Sequence, residues 1–322
     1  MPADIATDIA TDIALQIRGL EKSFGRNRAL AGVSFSVRRG ERVAFLGPNG
    51  AGKTTLIRCL SGRTRPDSGE IWVMGQPVEQ REARDVIGLV PQEIALYQDL
   101  TTRENLMVFG KLHGLSRRGV RDRVEWALNW TGLSERADDL VGGFSGGMKR
   151  RVNLACGVMH SPRILLLDEP TVGVDPQSRQ RIFSMLDDLS RNGCSILLTT
   201  HHLEEAEQQC DRVVIVDRGK VVADGSINEL IARSVGTSRW VRLRVDPPLK
   251  SPLTIDDGES AKPIGQTGDH QVTTRIDDVS THLPGLIGWI REQGYAIADV
   301  EVHAPSLHHV FLHLTGHELR DA

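Results

Sequence analysis

The sequence predicts an α/β fold with a mostly parallel central sheet, followed by a small α+β domain. Three continuous apolar runs bounded by turn residues are typical of buried parallel strands. They are Val43–Leu46, Ile164–Leu167 and Ile196–Leu198. Helical patterns alternate with such runs up to about residue 234, which favours helices on both faces of the sheet. After Gly236, prolines and polar residues separate shorter strand-like and helical segments.

The bulk composition is that of an ordinary globular protein. The chain has 322 residues, of which 39% are hydrophobic and 25% charged, with a net charge of -3. This length can bury a sizeable core without disulfides, and the charge argues against a dedicated nucleic-acid binder. No apolar run approaches the ~18 residues that would span a bilayer, and the N-terminus lacks the pattern of a secretory signal. We therefore expect a cytoplasmic protein unless another chain holds it at a membrane.

The chain divides into three parts by pattern. Residues 1–14 repeat the run Asp-Ile-Ala-Thr, which we interpret as a flexible tail, with an amphipathic helix as the alternative. Residues 15–236 form the predicted main domain, and the helical pattern at about 93–145 looks like an insertion in it. Residues 237–322 form the predicted accessory domain. The four cysteines lie in apolar or helical stretches without a C-x-x-C pair, so we expect buried thiols in a reducing compartment.

A phosphate-binding loop follows the first apolar strand. The residues 47–55 match G-x-x-x-x-G-K-[ST] between a buried strand and a helix, the context that this motif requires. Glycines let backbone N–H groups approach a phosphate, and the helix N-terminus adds a positive dipole. Lys53 would reach the β- and γ-phosphates, and the Thr54 hydroxyl would bind Mg²⁺. The predicted nucleotide-binding residues here are Gly47, Pro48, Asn49, Gly50, Ala51, Gly52, Lys53, Thr54 and Thr55.

Three further segments narrow the class of nucleotide hydrolase. Phe144-Ser145-Gly146-Gly147 precedes the strand 164–170, which ends in Asp168-Glu169-Pro170, and Thr199-Thr200-His201-His202 closes the next strand. In this order, with the phosphate loop, they resemble the ATP-binding cassette of ABC transporters over roughly residues 15–234. The resemblance implies a P-loop ATPase fold with an antiparallel β subdomain and a helical insertion.

The resemblance also implies roles for individual residues near the γ-phosphate. Asp168 would help hold Mg²⁺, and Glu169 would act as the catalytic carboxylate that polarises the attacking water. His201 would be the switch histidine, and we prefer it to the adjacent His202 because it directly follows Thr-Thr. Gln92 would contact Mg²⁺ and report the nucleotide state to the helical insertion.

A second set of residues would act on the nucleotide of another subunit. The resemblance implies that Ser145, Gly146 and Gly147 bind the γ-phosphate held by a second cassette, and that Asp175 touches that subunit. Phe144, Met148 and the Gly-Val before Asp175 are variants of the commonest family pattern. One chain would therefore carry two unlike half-sites, which a second cassette, as a homodimer or with a similar chain, completes.

Phe24 stands where the family has an aromatic residue, usually Tyr, that stacks on adenine. Phe retains the ring face on which a base can stack. The alternative is a core phenylalanine, since aromatic residues commonly pack cores.

The runs 197–207 and 210–213 look like those of the drug-resistance and lipid or polysaccharide exporter group. The run 305–316 is similar to the tail domain of that group. The resemblance implies an ATPase that uses ATP and Mg²⁺, at the cytoplasmic face of the membrane, and powers export through a separate transmembrane permease. His309, His313 and His317 are spaced four residues apart, and we favour metal-free histidines over a Zn²⁺ site because Gly316 interrupts the helix.

Two other functional classes stay open. A soluble ABC ATPase acting on ribosomes or DNA would usually have two cassettes or long coiled coils, and this chain has one phosphate loop and no heptad run. A cassette that binds nucleotide without turnover is disfavoured because Lys53, Asp168, Glu169 and His201 are all present.

Overall fold

The structure is a computed structural model that describes residues 12–236, 238–249 and 270–315, and the backbone of the short strands at 254–255, 262–263 and 265–266. The tail residues 1–11, Pro252 and His317 lie outside the described residues. The chain folds as two compact units, with the division between Ile227 and Asn228. The predicted boundary at 236 lies after helix Ile227–Ser234, whereas the observed division lies at the start of that helix. The domain limits stay a prediction.

The first unit is built on a six-stranded sheet among the described residues. Its strands are β3 (Arg42–Leu46), β6 (Ile87–Val90), β7 (Ile164–Asp168), β8 (Ser195–Thr200), β9 (Arg212–Asp217) and β10 (Lys220–Gly225), in the order β10-β9-β3-β8-β7-β6. All neighbours are parallel except β10 and β9. The strands β3, β7 and β8 consist almost entirely of buried residues, as continuous apolar runs predict for a parallel sheet. The mostly parallel core is confirmed.

An antiparallel sheet of four strands belongs to the same unit. It contains β1 (Ile13–Phe24), β2 (Asn27–Arg38), β4 (Ser68–Val73) and β5 (Gln76–Pro77), in the order β2-β1-β4-β5. Ile13 and Ala14, predicted in the tail, belong instead to β1. Ala14 is buried and its carbonyl accepts from the Met74 N–H, so the strand begins earlier than the sequence pattern indicated. The antiparallel subdomain is confirmed.

Helices surround these sheets. They are α1 (Lys53–Leu60), α2 (Arg81–Asp85), α3 (Thr102–Leu112), α4 (Arg117–Thr131), α5 (Gly146–Gly157), α6 (Pro176–Arg191) and α7 (Leu203–Gln209). The helices α3, α4 and α5 pack on one another. Helices α3 and α4 lie within the predicted insertion at about 93–145, and α5 begins directly after it. A capping box between Thr101 and Glu104 begins α3.

The second unit is a small α+β arrangement. Apart from Ile227, the first residue of α8, it contains α8 (Ile227–Ser234), β11 (Arg239–Asp246), β12 (Thr254–Ile255), β13 (Lys262–Pro263), β14 (Gly265–Gln266), β15 (Gln271–Ile276), α9 (Val279–Glu292), β16 (Ala296–His303) and α10 (Leu307–Thr315). The antiparallel order is β14-β15-β11-β16. Val241, Leu243 and Val272 pack with Leu286 and Ile290 of α9, because alternate strand residues face the helix.

The four cysteines are free and buried, as predicted from their apolar surroundings. Burial raises the pKa of the Cys59 thiol to about 11 and that of Cys194 to about 12. Protonated thiols of this kind are poor nucleophiles and behave as small apolar side chains. None of the described helices has the length and apolar character that a membrane crossing needs.

Candidate functional site: an ATP-binding cassette

The phosphate loop connects β3 to the N-terminus of α1. Gly52 has φ +101°, and a Cβ on it would lie 2.3 Å from the Ala29 carbonyl oxygen. A Cβ on Gly47 would lie 2.3 Å from the Val216 carbonyl oxygen. Both positions therefore exclude any larger residue. The first N–H groups of a helix have no partner within the helix, so the start of α1 can bind an anion.

Lys53 lies at the centre of the site and is buried. Its Nζ donates to the Gly47 carbonyl at 2.8 Å and the Pro48 carbonyl at 3.1 Å, and it lies 3.0 Å from Glu169 Oε1. An ammonium group has three donor hydrogens, so these partners use all of them. A nucleotide phosphate would compete with the Glu169 carboxylate for the same ammonium group.

Glu169 connects three of the predicted site residues. Its carboxylate accepts from Gln92 Nε2 at 3.0 Å and contacts His201 Nδ1 at 3.1 Å and Lys53 at 3.0 Å. Its backbone has φ +47°, and its N–H donates to both the carbonyl and the hydroxyl of Thr199. Left-handed backbone at a non-glycine residue is uncommon and concentrates at functional sites. His201, rather than His202, is the histidine that contacts Glu169.

The pKa of Glu169 reflects two opposing effects. Burial acts to raise this pKa, but hydrogen bonds from His201 and Lys53 outweigh burial and hold the pKa below its usual value. The carboxylate is therefore ionised at neutral pH. An ionised carboxylate at this position can orient a water molecule and accept its proton.

A second group of oxygen donors lies beside the lysine. Thr54, Gln92 and Asp168 line one cavity of about 160 Å³. Asp168 is buried, and its Oδ1 accepts from the Thr199 hydroxyl at 2.7 Å, which orients the carboxylate. Hydroxyl, amide and carboxylate oxygens are the donors that Mg²⁺ prefers. The residues predicted as metal ligands are thus brought together, and their chemistry fits Mg²⁺.

Phe24 lies at the edge of the same site. It lines a cavity of about 280 Å³ with Gly50, Lys53 and Thr54, and its side chain is 50% exposed. An exposed ring at a phosphate site does not fit the alternative of a core phenylalanine. Asn27 and Ala29 also line this cavity; sequence reasoning missed them, and only their proximity to Phe24 could have suggested them.

The signature residues begin helix α5. Ser145 is its N-cap, and its hydroxyl accepts from the Met148 N–H at 3.3 Å. Ser145 and Gly146 are exposed, while Gly147 is buried. A Cβ on Gly147 would lie 2.1 Å from Ser178 Oγ, so glycine permits α5 to pack on the start of α6. The structure thus presents a second glycine-bearing helix N-terminus, at which Ser145 and Gly146 are exposed.

Asp175 is the N-cap of α6. Its carboxylate accepts from the Ser178 N–H at 2.9 Å, and these hydrogen bonds from Ser178 hold the pKa of Asp175 below its usual value. The residue is exposed. It is therefore an ionised group at the surface next to the signature glycines.

Arg150 is a site residue whose role sequence reasoning missed. It is buried on α5 and donates to the carbonyls of Pro91 at 2.9 Å and Gln92 at 2.7 Å. The signature helix is therefore tied directly to the segment that carries Gln92. The sequence places Arg150 next to the signature, but it does not reveal the contact of Arg150 with Gln92, 58 residues away.

Comparisons with known proteins agree with this geometry. The family described as "ABC transporter" matches residues 30–172. The linearmycin resistance ATP-binding protein LnrL of Bacillus subtilis is 39% identical over 313 residues, which are 95% of this chain and 100% of that protein. The Nod factor export ATP-binding protein I of Ralstonia nicotianae is 39% identical over 318 residues, 95% of each chain. The daunorubicin resistance ATP-binding protein DrrA3 of Streptomyces coeruleorubidus is 40% identical over 95% of this chain and 97% of its own.

Solved structures of cassettes share the fold. The structure of an ATP-binding subunit of an ABC transporter aligns with a TM-score of 0.63 at 32% identity, covering 68% of this chain and 92% of the other. The cbiO1 protein of Clostridium perfringens aligns with a TM-score of 0.63 at 30% identity, covering 69% and 91%. With the phosphate loop, the paired carboxylates and the signature helix in place, this chain belongs to the ABC transporter family and is one of its ATP-binding, ATP-hydrolysing subunits.

Proposed function

We propose that this chain powers the export of a substrate through a separate membrane-spanning permease, working as a pair of cassettes. The observation that supports the pairing is that one chain has two glycine-bearing helix N-termini with different side chains around them. The α1 terminus has Lys53 and Glu169 beside it, whereas the exposed α5 terminus offers Ser145 and glycine backbone. A second cassette would supply to each phosphate loop what its own chain lacks.

In this pair, each ATP binds between a phosphate loop and the partner's signature. Phe24 stacks on the base, the backbone of residues 47–55 and Lys53 hold the phosphates, and Ser145, Gly146 and Gly147 of the second cassette close over the γ-phosphate. Preorganised donors of this kind stabilise the charge of phosphoryl transfer. Asp175 lies beside the signature and contacts the partner cassette.

Mg²⁺ would be held by Thr54, Gln92 and Asp168. When bound there, the ion would neutralise negative charge on the nucleotide phosphates. Glu169 orients and deprotonates the attacking water, and His201 positions Glu169 through the 3.1 Å contact between Nδ1 and Oε1 and reaches toward the γ-phosphate.

Export is favoured by what the relatives are called: resistance to linearmycin and daunorubicin, and export of Nod factor. These relatives match along 95% of this chain, including the second unit. We infer that the permease holds this chain at the cytoplasmic face of the membrane and selects the substrate.

The catalytic part of the proposal is tested with Glu169→Gln. The amide keeps the shape but cannot accept a proton, so ATP hydrolysis should fall by about 10²- to 10⁴-fold while ATP still binds. Sedimentation with ATP and Mg²⁺ should then reveal a stable dimer. Unchanged turnover would remove Glu169 from the catalytic role, and a monomer at saturating ATP would contradict the pairing.

The transport part is tested by cell fractionation. The chain should sediment with membranes when its permease is present and move to the soluble fraction when the permease gene is deleted. The Glu169→Gln variant should follow the same distribution, because docking does not depend on turnover. A chain found with ribosomes or DNA instead would support the soluble class of ABC ATPase.

A further inference from the structure

A buried carboxylate lies behind the hydrolytic residues, outside the cavities that would hold the nucleotide. Glu205 lies in the first turn of α7 and is 4% exposed. Its Oε1 accepts from the Thr171 hydroxyl, and its Oε2 accepts from Thr200 Oγ1 at 3.0 Å. Burying a carboxylate is costly unless its oxygens are hydrogen-bonded, and here both are. The carboxylate therefore bridges two segments that are 29 residues apart.

Both hydroxyls lie next to residues of the hydrolytic site. Thr171 follows Glu169 by two positions and immediately precedes the segment 172–175. Thr200 immediately precedes His201, and its hydroxyl also accepts from the His202 N–H at 2.9 Å. Because His201 and Glu169 are themselves in contact at 3.1 Å, the hydrogen bonds through Glu205 close a ring around the catalytic pair.

The same carboxylate is linked to the helix that starts at Asp175. Arg179 of α6 places its Nε 3.7 Å from Glu205 Oε1, and the Arg179 N–H donates to the Asp175 carbonyl at 2.9 Å. At this distance the attraction between Arg179 and Glu205 is electrostatic rather than a hydrogen bond. The segment 172–175 is therefore held by Glu205 on both sides: through Thr171 before it and through Arg179 after it.

We propose that Glu205 is a positioning residue that holds the His201 segment and the segment 172–175 in one arrangement. Through Thr171 and Thr200 it makes the Glu169–His201 pair and Asp175 move together. Closure of a second cassette against Asp175, which rests on the proposed function, then sets the geometry of hydrolysis within this chain. ATP binding by the phosphate loop alone does not depend on Glu205.

This role differs from a merely structural one in what it changes. Replacing a residue that only stabilises the fold would lower the unfolding temperature and leave turnover per folded molecule intact. Replacing a positioning residue lowers kcat without weakening nucleotide binding, because the lost interactions act in the transition state.

The experiment uses variants that remove one hydrogen-bonding group at a time. Thr171→Val and Thr200→Val delete the hydroxyls, Thr171→Ser keeps one, and Glu205→Gln replaces one acceptor oxygen by a donor. Glu204→Gln is the matched control, since Glu204 is exposed on the same turn. For each full-length variant we would measure kcat and KM for ATP, the Kd of a fluorescent ATP analogue, and the unfolding temperature.

We expect Glu205→Gln and Thr171→Val each to lower kcat about tenfold, with KM and Kd within about twofold of the parent. Thr171→Ser should restore most of the rate, and Glu204→Gln should match the parent. The double variant Glu205→Gln with Thr171→Val should be about as slow as either single variant, because contacting residues are non-additive.

Three results would overturn the proposal. They are an unchanged kcat in Glu205→Gln, a Thr171→Ser variant as slow as Thr171→Val, and losses that multiply in the double variant. If Glu205→Gln does not fold, the Thr171 variants decide alone, because Thr171→Val removes the hydroxyl at nearly constant shape and Thr171→Ser retains the hydroxyl without the methyl group. Failure of the pairing itself would be recognised separately, by a Glu169→Gln variant that stays monomeric with ATP.

Discussion

The two helix N-termini of the first unit, which we propose as two unlike halves of a nucleotide site, differ in the side chains around them. The α1 terminus lies at the end of buried β3 and has Lys53 and the carboxylates of Asp168 and Glu169 around it. The α5 terminus lies at the surface, capped by Ser145. Both can bind an anion through backbone N–H groups, but only the first has groups that can activate water. Binding and turnover should therefore respond differently to changes in the two halves.

The largest contrast is expected from Ser145→Arg. The long cationic side chain fills the exposed α5 terminus, so a second cassette cannot close, and ATP hydrolysis should fall by at least about 100-fold. Binding of a fluorescent ATP analogue to the monomer should be unchanged, because the α1 terminus is untouched. Gln80→Arg is the control, since it adds the same charge at the N-cap of α2, another exposed helix start. Full activity in Ser145→Arg would mean that no composite site exists.

The opposite pattern is expected from Lys53→Ala. Loss of the buried ammonium removes a charge-assisted contact to the phosphates, so ATP affinity should fall about 10- to 100-fold. Titration with a fluorescent nucleotide measures this directly. Lys111→Ala, at the exposed end of α3, should leave affinity unchanged. Equal affinity in the Lys53 variant and the parent would contradict the assignment of the α1 half.

A smaller effect separates the two signature glycines. Alanine at Gly147 would place its Cβ 2.1 Å from Ser178 Oγ, whereas at Gly146 the nearest atom, the Gly173 carbonyl oxygen, lies 3.7 Å away. Gly147→Ala should therefore cost about 1–3 kcal/mol of unfolding free energy through overpacking. Gly146→Ala should cost nothing or stabilise slightly, since alanine favours helix. Urea unfolding of both variants tests this, and equal stabilities would show that α5 can shift away from α6.

The smallest effect concerns how the free energy of unfolding depends on pH, through a histidine just beyond the C-terminal end of α5. His160, just beyond α5, stacks on His113 at 3.8 Å and bonds the Ile87 carbonyl through Nε2 at 3.0 Å. Burial, with the neighbouring His113, lowers the pKa of His160 to about 4. The unfolded chain binds this proton below pH about 6.5, so stability is full above that pH and is lost as the pH falls towards 4.

His160→Gln removes this titration. The stability lost between pH 7.5 and pH 5 should be smaller in the variant by about 1–2 kcal/mol. Urea unfolding at the two pH values provides the measurement, with His313→Gln as the control because His313 is exposed on α10. An identical loss in His160→Gln and the parent would assign the acid sensitivity to other groups.

Some apolar residues show where sequence patterns stop being informative. Leu106 and Leu112 both lie on α3 and both fit a helical apolar pattern, yet Leu106 is fully buried and Leu112 is 70% exposed. Phe24 was compatible with a core position and is half exposed. Hydrophobicity indicates only that a residue can be buried, and the position of the neighbouring helices and strands decides whether it is buried.

The sequence by itself determined the local chemistry of this protein. The phosphate loop, the signature and the paired carboxylates are contiguous runs, and their function depends on backbone conformations that a few adjacent residues encode. The buried strands were equally predictable, because a parallel sheet covered on both faces requires continuous apolar runs.

Only the tertiary structure decided how these runs meet. The contact of Glu169 with Gln92 and His201, the hold of Arg150 on residues 91–92, and the bridge through Glu205 join segments that are far apart in the chain. The carboxyl ends of neighbouring parallel strands bring such side chains to one edge of the sheet. No local pattern encodes these pairings, because they depend on strand order and on the packing of helices against the sheet.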